Sequence, residues 1–440
     1  MTTNKDIFKL AGPIVLGNIS QMALGLIDTA MVGQVGAKHL AASSLVLAIL
    51  GIPFVLGIGI TTAIGPLVAE ANGAEDSKKV GKIAWLGFLL TLLLSTFIVT
   101  GTEFASEIVF SMDQDREVAQ LAHPFFRLIN FSLLPMLLFL ALKQFADGLE
   151  FTKFAMALSI GSIPLNAGLN WIFIYGNWGF EPMGLTGAGL GTLITRIIIL
   201  ICMMAFVLRH PKFAPYRTYF FTSLKDRKIS LSILKIGVPA GIQYVVEVAA
   251  FSLSGIMAGW ISAEAQAAHQ IALSLASTTY MISIGLAVAG GIKVAEALGR
   301  KDATDLRNIN KKVILMSLWW GGLCAFFFIG FQNLLPQWFT GDSQVIKTAS
   351  MLLVWAAIFQ IGDSVQANAA GLMRGRQEMK FPTYFVIFAY WVITIPLCYY
   401  LGFSQHLGIQ GIWIGLSLGL TLAALGLTWK TFNFRKSIEP

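Results

Sequence analysis

The sequence predicts an all-α integral membrane protein, with twelve transmembrane helices in two six-helix bundles related by a parallel internal repeat. Composition gives the class: 56% of residues are hydrophobic, 12% are charged and mean hydropathy is +0.71, where a soluble domain carries about 25% charged residues. Long runs free of Asp, Glu, Lys and Arg give the elements: Leu40 to Ala69, Ile83 to Thr102, Phe154 to Phe180, Ala265 to Ile292, Val313 to Gly341 and Phe381 to Trp429. A segment written twice gives the architecture. Residues 13–76 and 239–302 align without a gap at an offset of 226, and 18 of 64 positions are identical. Among them are Pro13/Pro239, Gly33/Gly259, Gly59/Gly285, Glu70/Glu296, Gly73/Gly299 and Asp76/Asp302. Shared greasiness does not place prolines, glycines and acids at one offset; duplication does.

Each span follows from its run and its break. The first, 10–33, begins after Lys9, and the second, 40–70, follows Gly36 and Lys38. The third, fourth, fifth and sixth are 83–102, 118–146, 154–176 and 184–208, divided by the acidic stretch from Glu103, by Glu150 with Lys153, and by the Gly176–Gly184 turn. After the hydrophilic stretch His210–Lys235 come 236–259, 265–298, 313–334 and 347–373. The run Phe381–Trp429 would measure about 74 Å as one helix against about 30 Å of hydrocarbon. It therefore makes two spans, 382–402 and 409–429, broken near Gly402–Gly408. Lipid offers the backbone no hydrogen bonds, and solid apolar runs lack the alternation of an outer-membrane barrel, so the spans are helices. The polar, mixed-charge start after Met1 does not read as a cleavable signal.

His210–Lys235 divides the chain into an amino-terminal bundle (1–209), a cytoplasmic linker (210–235) and a carboxy-terminal bundle (236–440). Six is even, so both bundles enter the membrane from the same side, which makes the repeat parallel. Gly184, Gly187 and Gly191 echo Gly408, Gly411 and Gly415, small residues that let helices approach closely. With both termini in the cytoplasm, 24 of 31 basic residues fall on that side, including Lys78, Lys79, Lys82, Lys225, Arg374, Arg435 and Lys436, whereas the opposite side holds only Lys38, Arg116 and Lys347. The loop after span three is acidic, with Glu103, Glu107, Asp113, Asp115 and Glu117. That asymmetry sets the expected orientation. The net charge of +8 is then a topology signal and needs no nucleic-acid partner. Cys202, Cys324 and Cys398 lie in spans without close pairing and read as small core residues.

An ionised carboxylate inside a span costs several kcal/mol unless it is paired, hydrated or protonated. Three stand there: Asp28 in span one, Glu247 in span seven and Asp363 in span ten. The repeat sets Gln21 opposite Glu247 and Ser254 opposite Asp28, so each half has its own polar position and the two halves do different work. A proton, a metal ion and a cationic solute can compete for such a carboxylate, which is the chemistry an antiporter needs; its bland reading is a tie between two helices. Oxygen ligands suit a hard ion such as Na⁺, which any of the three carboxylates can take. Asn166 and Asn170 share one face of span five, Asp28 is a plausible partner for them, and Thr192 can complete the cluster. Interhelical hydrogen bonding alone is the structural alternative. Arg127, Lys143 and Lys293 are expected to snorkel from span ends. Arg196, near mid-span, either balances a carboxylate or touches substrate. His269 reads as packed or hydrogen-bonded, Glu70 and Glu296 as structural or gating groups, and Pro13, Pro164, Pro239 and Pro396 as kinks. No His/Cys zinc cluster, phosphate-binding loop or nucleophile–base pair is present in the sequence, so no cofactor and no enzyme activity are expected.

Gly12-Pro13, Asp28-Thr29-Ala30-Met31-Val32-Gly33, Leu40-Ala41-Ala42, Ala71-Asn72-Gly73-Ala74, Ala267-Ala268-His269-Gln270, Ala297-Leu298-Gly299 and Leu372-Met373-Arg374-Gly375 resemble the multidrug and toxic compound extrusion (MATE) family. The resemblance covers essentially the whole chain, and Glu247 with Asp363 makes it most similar to the NorM-like bacterial branch. It implies two six-helix bundles around a V-shaped cavity, exporting organic cations and drugs from the cytoplasm in exchange for Na⁺ or H⁺ by alternating access. It implies a monomer in a bacterial cytoplasmic (inner) membrane whose partners are small cationic drugs or metabolites and the lipid bilayer. Asp28, Asn166, Asn170 and Thr192 match the family's amino-half polar cluster, and Glu247 and Asp363 its carboxy-half cation site. Two departures leave the coupling ion open: Phe359 stands where Na⁺-coupled relatives often carry Tyr, and Asn170 where some proton-coupled relatives carry Asp. The competing reading is a lipid-linked oligosaccharide flippase of the same superfamily, which would need a strongly cationic centre.

Overall fold

The computed structural model describes residues 1–111, 115–220 and 226–433; Asp113, Lys225, Arg435 and Lys436 of the charge argument lie outside the described residues. Twelve helical segments among the described residues are long and apolar enough to cross a membrane. The first six are Asn4–Val35, Ala37–Gly73, Ser77–Phe110, Arg116–Gly148, Thr152–Tyr175 and Leu185–Arg209. The second six are Arg227–Ile261, Ala263–Gly299, Ala303–Gly330, Ser343–Gly375, Lys380–Ser404 and Gly408–Phe432. We number these spans one to twelve. Most run several residues beyond the apolar runs because a helix stops at a cap, and the hydrocarbon boundary does not end it. The caps repeat: Asp76 and Asp302 accept from the amides of Lys79 and Asp305, at 2.8 and 2.9 Å, as do Asp115 and Asp342 at the starts of spans four and ten.

Two expectations about the elements need correcting. Span two is not one helix. It breaks into Ala37–Thr61 and Ile64–Gly73, where the hydroxyls of Thr61 and Thr62 donate back to the carbonyls of Ile58 and Gly59. The repeat-equivalent residues Ala287 and Val288 have no hydroxyl, and span eight is continuous over Ala263–Gly299. Lys143 does not reach outward from the span end: its ammonium pairs at 2.8 Å with Asp147, a fully buried carboxylate that its place near the span end disguised. Lys293 is also buried and pairs with Glu296 at 3.1 Å, whereas Arg127 stays exposed and pairs with Glu103.

The chain forms two compact units, Leu16–Gly241 and Met1–Val15 together with the chain from Ile242 onward. In the first, span four is the hub, packing on spans two, three and six; in the second, span ten packs in the same way on spans eight, nine and twelve. The duplication is therefore one of packing as well as of sequence. Glycines show it atom by atom. A Cβ on Gly187 would meet the backbone of Phe173 and Ile174, and one on Gly411 the backbone of Leu401 and Gly402, so spans five and six, and eleven and twelve, touch at equivalent points.

Within the first unit, a Cβ on Gly59 of span two would strike the backbone of Gly241; within the second, one on Gly285 of span eight would strike Val15. Gly241 and Val15 are repeat equivalents. The first half of span seven is thus packed on span two, and the first half of span one on span eight. Matching ties hold the starts of both helices. Thr2 donates its amide and hydroxyl to Asp305, both at 2.7 Å, and its carbonyl accepts from Asn308 and Lys312. Asp226 pairs with Lys82, the counterpart of Asn308, at 3.0 Å; that bond with the Lys82 ammonium holds the Asp226 carboxyl below its ordinary value.

Candidate carboxylate sites in the two halves

In the first unit, spans one, five and six bring four polar side chains together. Asn170 donates from Nδ2 to Asp28 Oδ1 at 2.6 Å and to Asn166 Oδ1 at 3.2 Å. Thr192 donates to Asp28 Oδ2 at 3.3 Å and accepts from Asn166 Nδ2 at 3.5 Å. Asn166 and Asn170 are fully buried, and the i, i+4 spacing has placed their amides where they are satisfied by one another, by the acid and by the hydroxyl. Asn170 Oδ1 is buried without a hydrogen-bond partner, and it lies where a Cβ on Gly191 would be. Gly191 therefore serves the cluster as well as the helix contact. Gly191→Ala is expected to rotate the Asn170 amide away from Asp28 and to cost about 1–3 kcal/mol of stability through overpacking. It should lower transport per folded molecule to the level of Asn170→Ala, measured in vesicles with the yield of each protein fixed.

Arg196 donates to Ser132 Oγ on span four at 2.7 Å and interacts electrostatically with Asp28. It thus faces the carboxylate's surroundings while being anchored to the hub helix, which sequence alone left open.

The second unit holds Glu247 and Asp363. Gln243, one turn before Glu247 on span seven, and Gln366 on span ten each donate an amide hydrogen to Glu247 Oε1 at 2.9 Å. Gln366 Oε1 accepts in turn from the Tyr390 hydroxyl of span eleven at 2.9 Å. Both amides meet the same oxygen, and among the described residues nothing donates a hydrogen bond to Glu247 Oε2 or to Asp363. Asp363 is buried, one turn beyond Phe359, and close enough to Glu247 to interact with its charge. Phe359 packs against Phe251 and Trp413 with ring centroids 5.9 and 5.6 Å apart, giving the carboxylates an apolar wall. Arg374, at the end of span ten, is buried with its guanidinium 5.3 Å from the Tyr244 ring centroid, and it is an electrostatic partner of Glu247. Each unit therefore places an arginine at one remove from its carboxylate, close enough to compensate charge without a direct ion pair that would occupy it.

Sequence reasoning named the three acids, the two asparagines and Thr192, and missed Gln243, Gln366, Tyr390 and the burial of Arg374. Gln243 and Gln366 carried a usable signal, since they stand four residues before Glu247 and three after Asp363 in apolar spans. Tyr390 carried none. His269 is packed: its ring is fully buried, 5.7 Å from that of Trp413, and among the described residues neither ring nitrogen has a hydrogen-bond partner. Among the described residues, no group of three or more His, Cys, Asp or Glu side chains is placed to hold a metal ion.

Twelve helices in duplicated packing, with carboxylates set inside the spans of both halves, define a polytopic membrane transporter. The chain belongs to the MatE family, whose model matches it twice, at residues 13–172 and 239–400, once in each half. It is similar to the multidrug resistance protein NorM of Vibrio cholerae serotype O1, with 29% identity covering 99% of this chain and 96% of that protein. It is also similar to the probable multidrug resistance protein NorM of Rhodopseudomonas palustris, with 30% identity over 96% of this chain and 90% of that one. Among solved structures, the outward-facing form of a multidrug resistance MATE family transporter superposes with a TM-score of 0.90 at 21% identity, covering 97% of this chain and 94% of that chain.

Proposed function

We propose that this protein is a secondary antiporter that exports organic cations and drugs from the cytoplasm in exchange for Na⁺ or H⁺ by alternating access. The observation that carries the reading is the pair of acids in the second unit. Glu247 is oriented by two amides on one oxygen, and among the described residues neither it nor Asp363 forms an ion pair with a basic side chain. Acids inside a span that no basic side chain pairs with bind a proton or a hard cation, and binding one relieves the repulsion between the two acids. Asp28, with Asn166, Asn170 and Thr192, forms the second polar position, which takes the organic cation or a coupling proton. The names of the NorM relatives support drugs as the exported class.

In this reading the functional halves are 1–209 and 236–440, joined by the linker 210–235. The same reading makes it a monomer in a bacterial cytoplasmic membrane with both termini inside, the side toward which lysine and arginine are biased. The experiment is ethidium transport in inverted membrane vesicles with Na⁺ and H⁺ gradients imposed separately. Drive by Na⁺ alone makes Glu247 and Asp363 a metal-ion site despite Phe359. Drive by H⁺ alone makes the carboxylates proton carriers. Response to neither overturns the antiporter and favours the flippase, for which restored envelope synthesis in a deficient cell is the test.

A further inference from the structure

We propose that Tyr390 is a positioning residue for the cation site: its hydroxyl anchors the Gln366 amide, and so holds in place the N–H that Gln366 presents to Glu247. The inference rests on the reading of Glu247 as a cation-binding group. Tyr390, in span eleven, touches neither carboxylate through a hydrogen bond. It donates to Gln366 Oε1 at 2.9 Å, and Gln366 Nε2 donates to Glu247 Oε1 at 2.9 Å, so the acceptor-only carboxylate sets the sense of the chain and the hydroxyl anchors its far end. An amide side chain is nearly symmetric in shape, and its two ends differ only in the sense of their hydrogen bonds. Repulsion between two acceptors keeps the carbonyl off Glu247 Oε1; without the hydroxyl, that buried carbonyl loses its donor and the amide loses the anchor that holds its N–H on Glu247. Tyr390 and Gln366 are 1% and 3% exposed, which leaves the protein to supply the missing donor.

The backbone of span eleven makes this arrangement possible. Phe388–Thr394 is a π-helical segment, and the Thr394 hydroxyl donates to the carbonyl of Ala389, five residues back, at 2.8 Å. Its wider turn brings the consecutive residues Tyr390 and Trp391 both onto span seven. The Tyr390 ring lies edge-on to Phe251, centroids 5.9 Å apart, and Phe251 is one turn beyond Glu247. The Trp391 indole donates at 3.2 Å to the carbonyl of Val246, the residue before Glu247. Span eleven therefore grips span seven on both sides of the acid, and the hydroxyl is held at a fixed place in that grip.

The test is ethidium transport in vesicles, measured against the concentration of the coupling ion at saturating ethidium, for Tyr390→Phe, Gln366→Met and the double variant. Tyr390→Phe keeps the ring and its packing. It is expected to raise the ion concentration for half-maximal transport by roughly two- to tenfold, the value of one hydrogen bond. The ethidium concentration for half-maximal transport and the thermal midpoint should remain unchanged. Gln366→Met is expected to raise the ion requirement at least as far, and the double variant no further than Gln366→Met alone. A wild-type ion requirement in Tyr390→Phe, with Glu247→Gln uncoupled, overturns the positioning role while leaving the cation site standing. So does a Tyr390→Phe shift that persists in the Gln366→Met background. A wild-type requirement in Gln366→Met overturns it even should Tyr390→Phe fail to fold. Normal coupling in Glu247→Gln removes the cation site, and this role with it.

Discussion

Replacing Glu247 by Gln, or Asp363 by Asn, is expected to abolish ion-driven efflux while leaving the protein in the membrane at its normal level. Both substitutions preserve size and remove charge, so packing around Phe251, Phe359 and Trp413 is kept. What disappears is the attraction for the coupling cation. One unit charge about 4 Å from a cation, at an effective dielectric of about 20, is worth about 4 kcal/mol, or roughly a thousandfold in affinity. No ion concentration used in vesicles recovers that. Glu247→Gln should also retain its contact with Gln243 and Gln366 through the amide oxygen, which is why expression is expected to survive. The measurement is gradient-driven ethidium transport, with the amount of folded protein determined separately. Normal transport in both variants would reduce these acids to helix ties and remove the second-unit site.

Asp28→Asn is expected to impair transport by more than tenfold, and Asn166→Ala by roughly two- to fivefold. The two residues sit in the same hydrogen-bonded cluster, but their roles differ. Asp28 receives both Asn170, at 2.6 Å, and Thr192, at 3.3 Å, and it alone can exchange a proton or pair with a cation. Asn166 contributes only the longer bonds of 3.2 and 3.5 Å, and it acts on Asp28 through its neighbours. Ethidium transport at fixed gradient, compared between the two variants, separates charge from scaffolding. Wild-type activity in both would make Asp28 a structural acid. Equal, severe loss in both would show that the cluster works as one packed unit in which charge has no special part.

The site was legible in proportion to how unusual each residue is in a membrane. An acid in an apolar run stands out because its burial is costly, so Asp28, Glu247 and Asp363 were visible at once, and a pair of asparagines at i, i+4 nearly so. Asp147 escaped because its position near the end of span four allowed an exposed location, and only the packing of Lys143 beside it shows that both are buried. Gln366 and Tyr390 escaped for another reason. Glutamine and tyrosine are tolerated in many places in a helix bundle, and their importance here lies in which residue stands opposite. Span two shows the same limit for backbone: its hydropathy reads as one helix, and the two threonine hydroxyls that break it act through local bonds that hydropathy ignores.

The sequence by itself determined that this chain is a duplicated, twelve-span membrane protein with three carboxylates in its spans, because hydropathy, charge-free length and an ungapped repeat are properties of the chain taken in order. Tertiary structure alone decided which side chains complete each site. Asp28 meets Asn170 and Thr192 from spans five and six, and Glu247 meets Gln366, to which Tyr390 donates from a π-helical turn more than 140 positions beyond Glu247. Hydrogen bonds between helices depend on the rotation and depth of each helix in its bundle. Those are fixed by close glycine contacts and aromatic packing between segments far apart in sequence, and no local pattern records them.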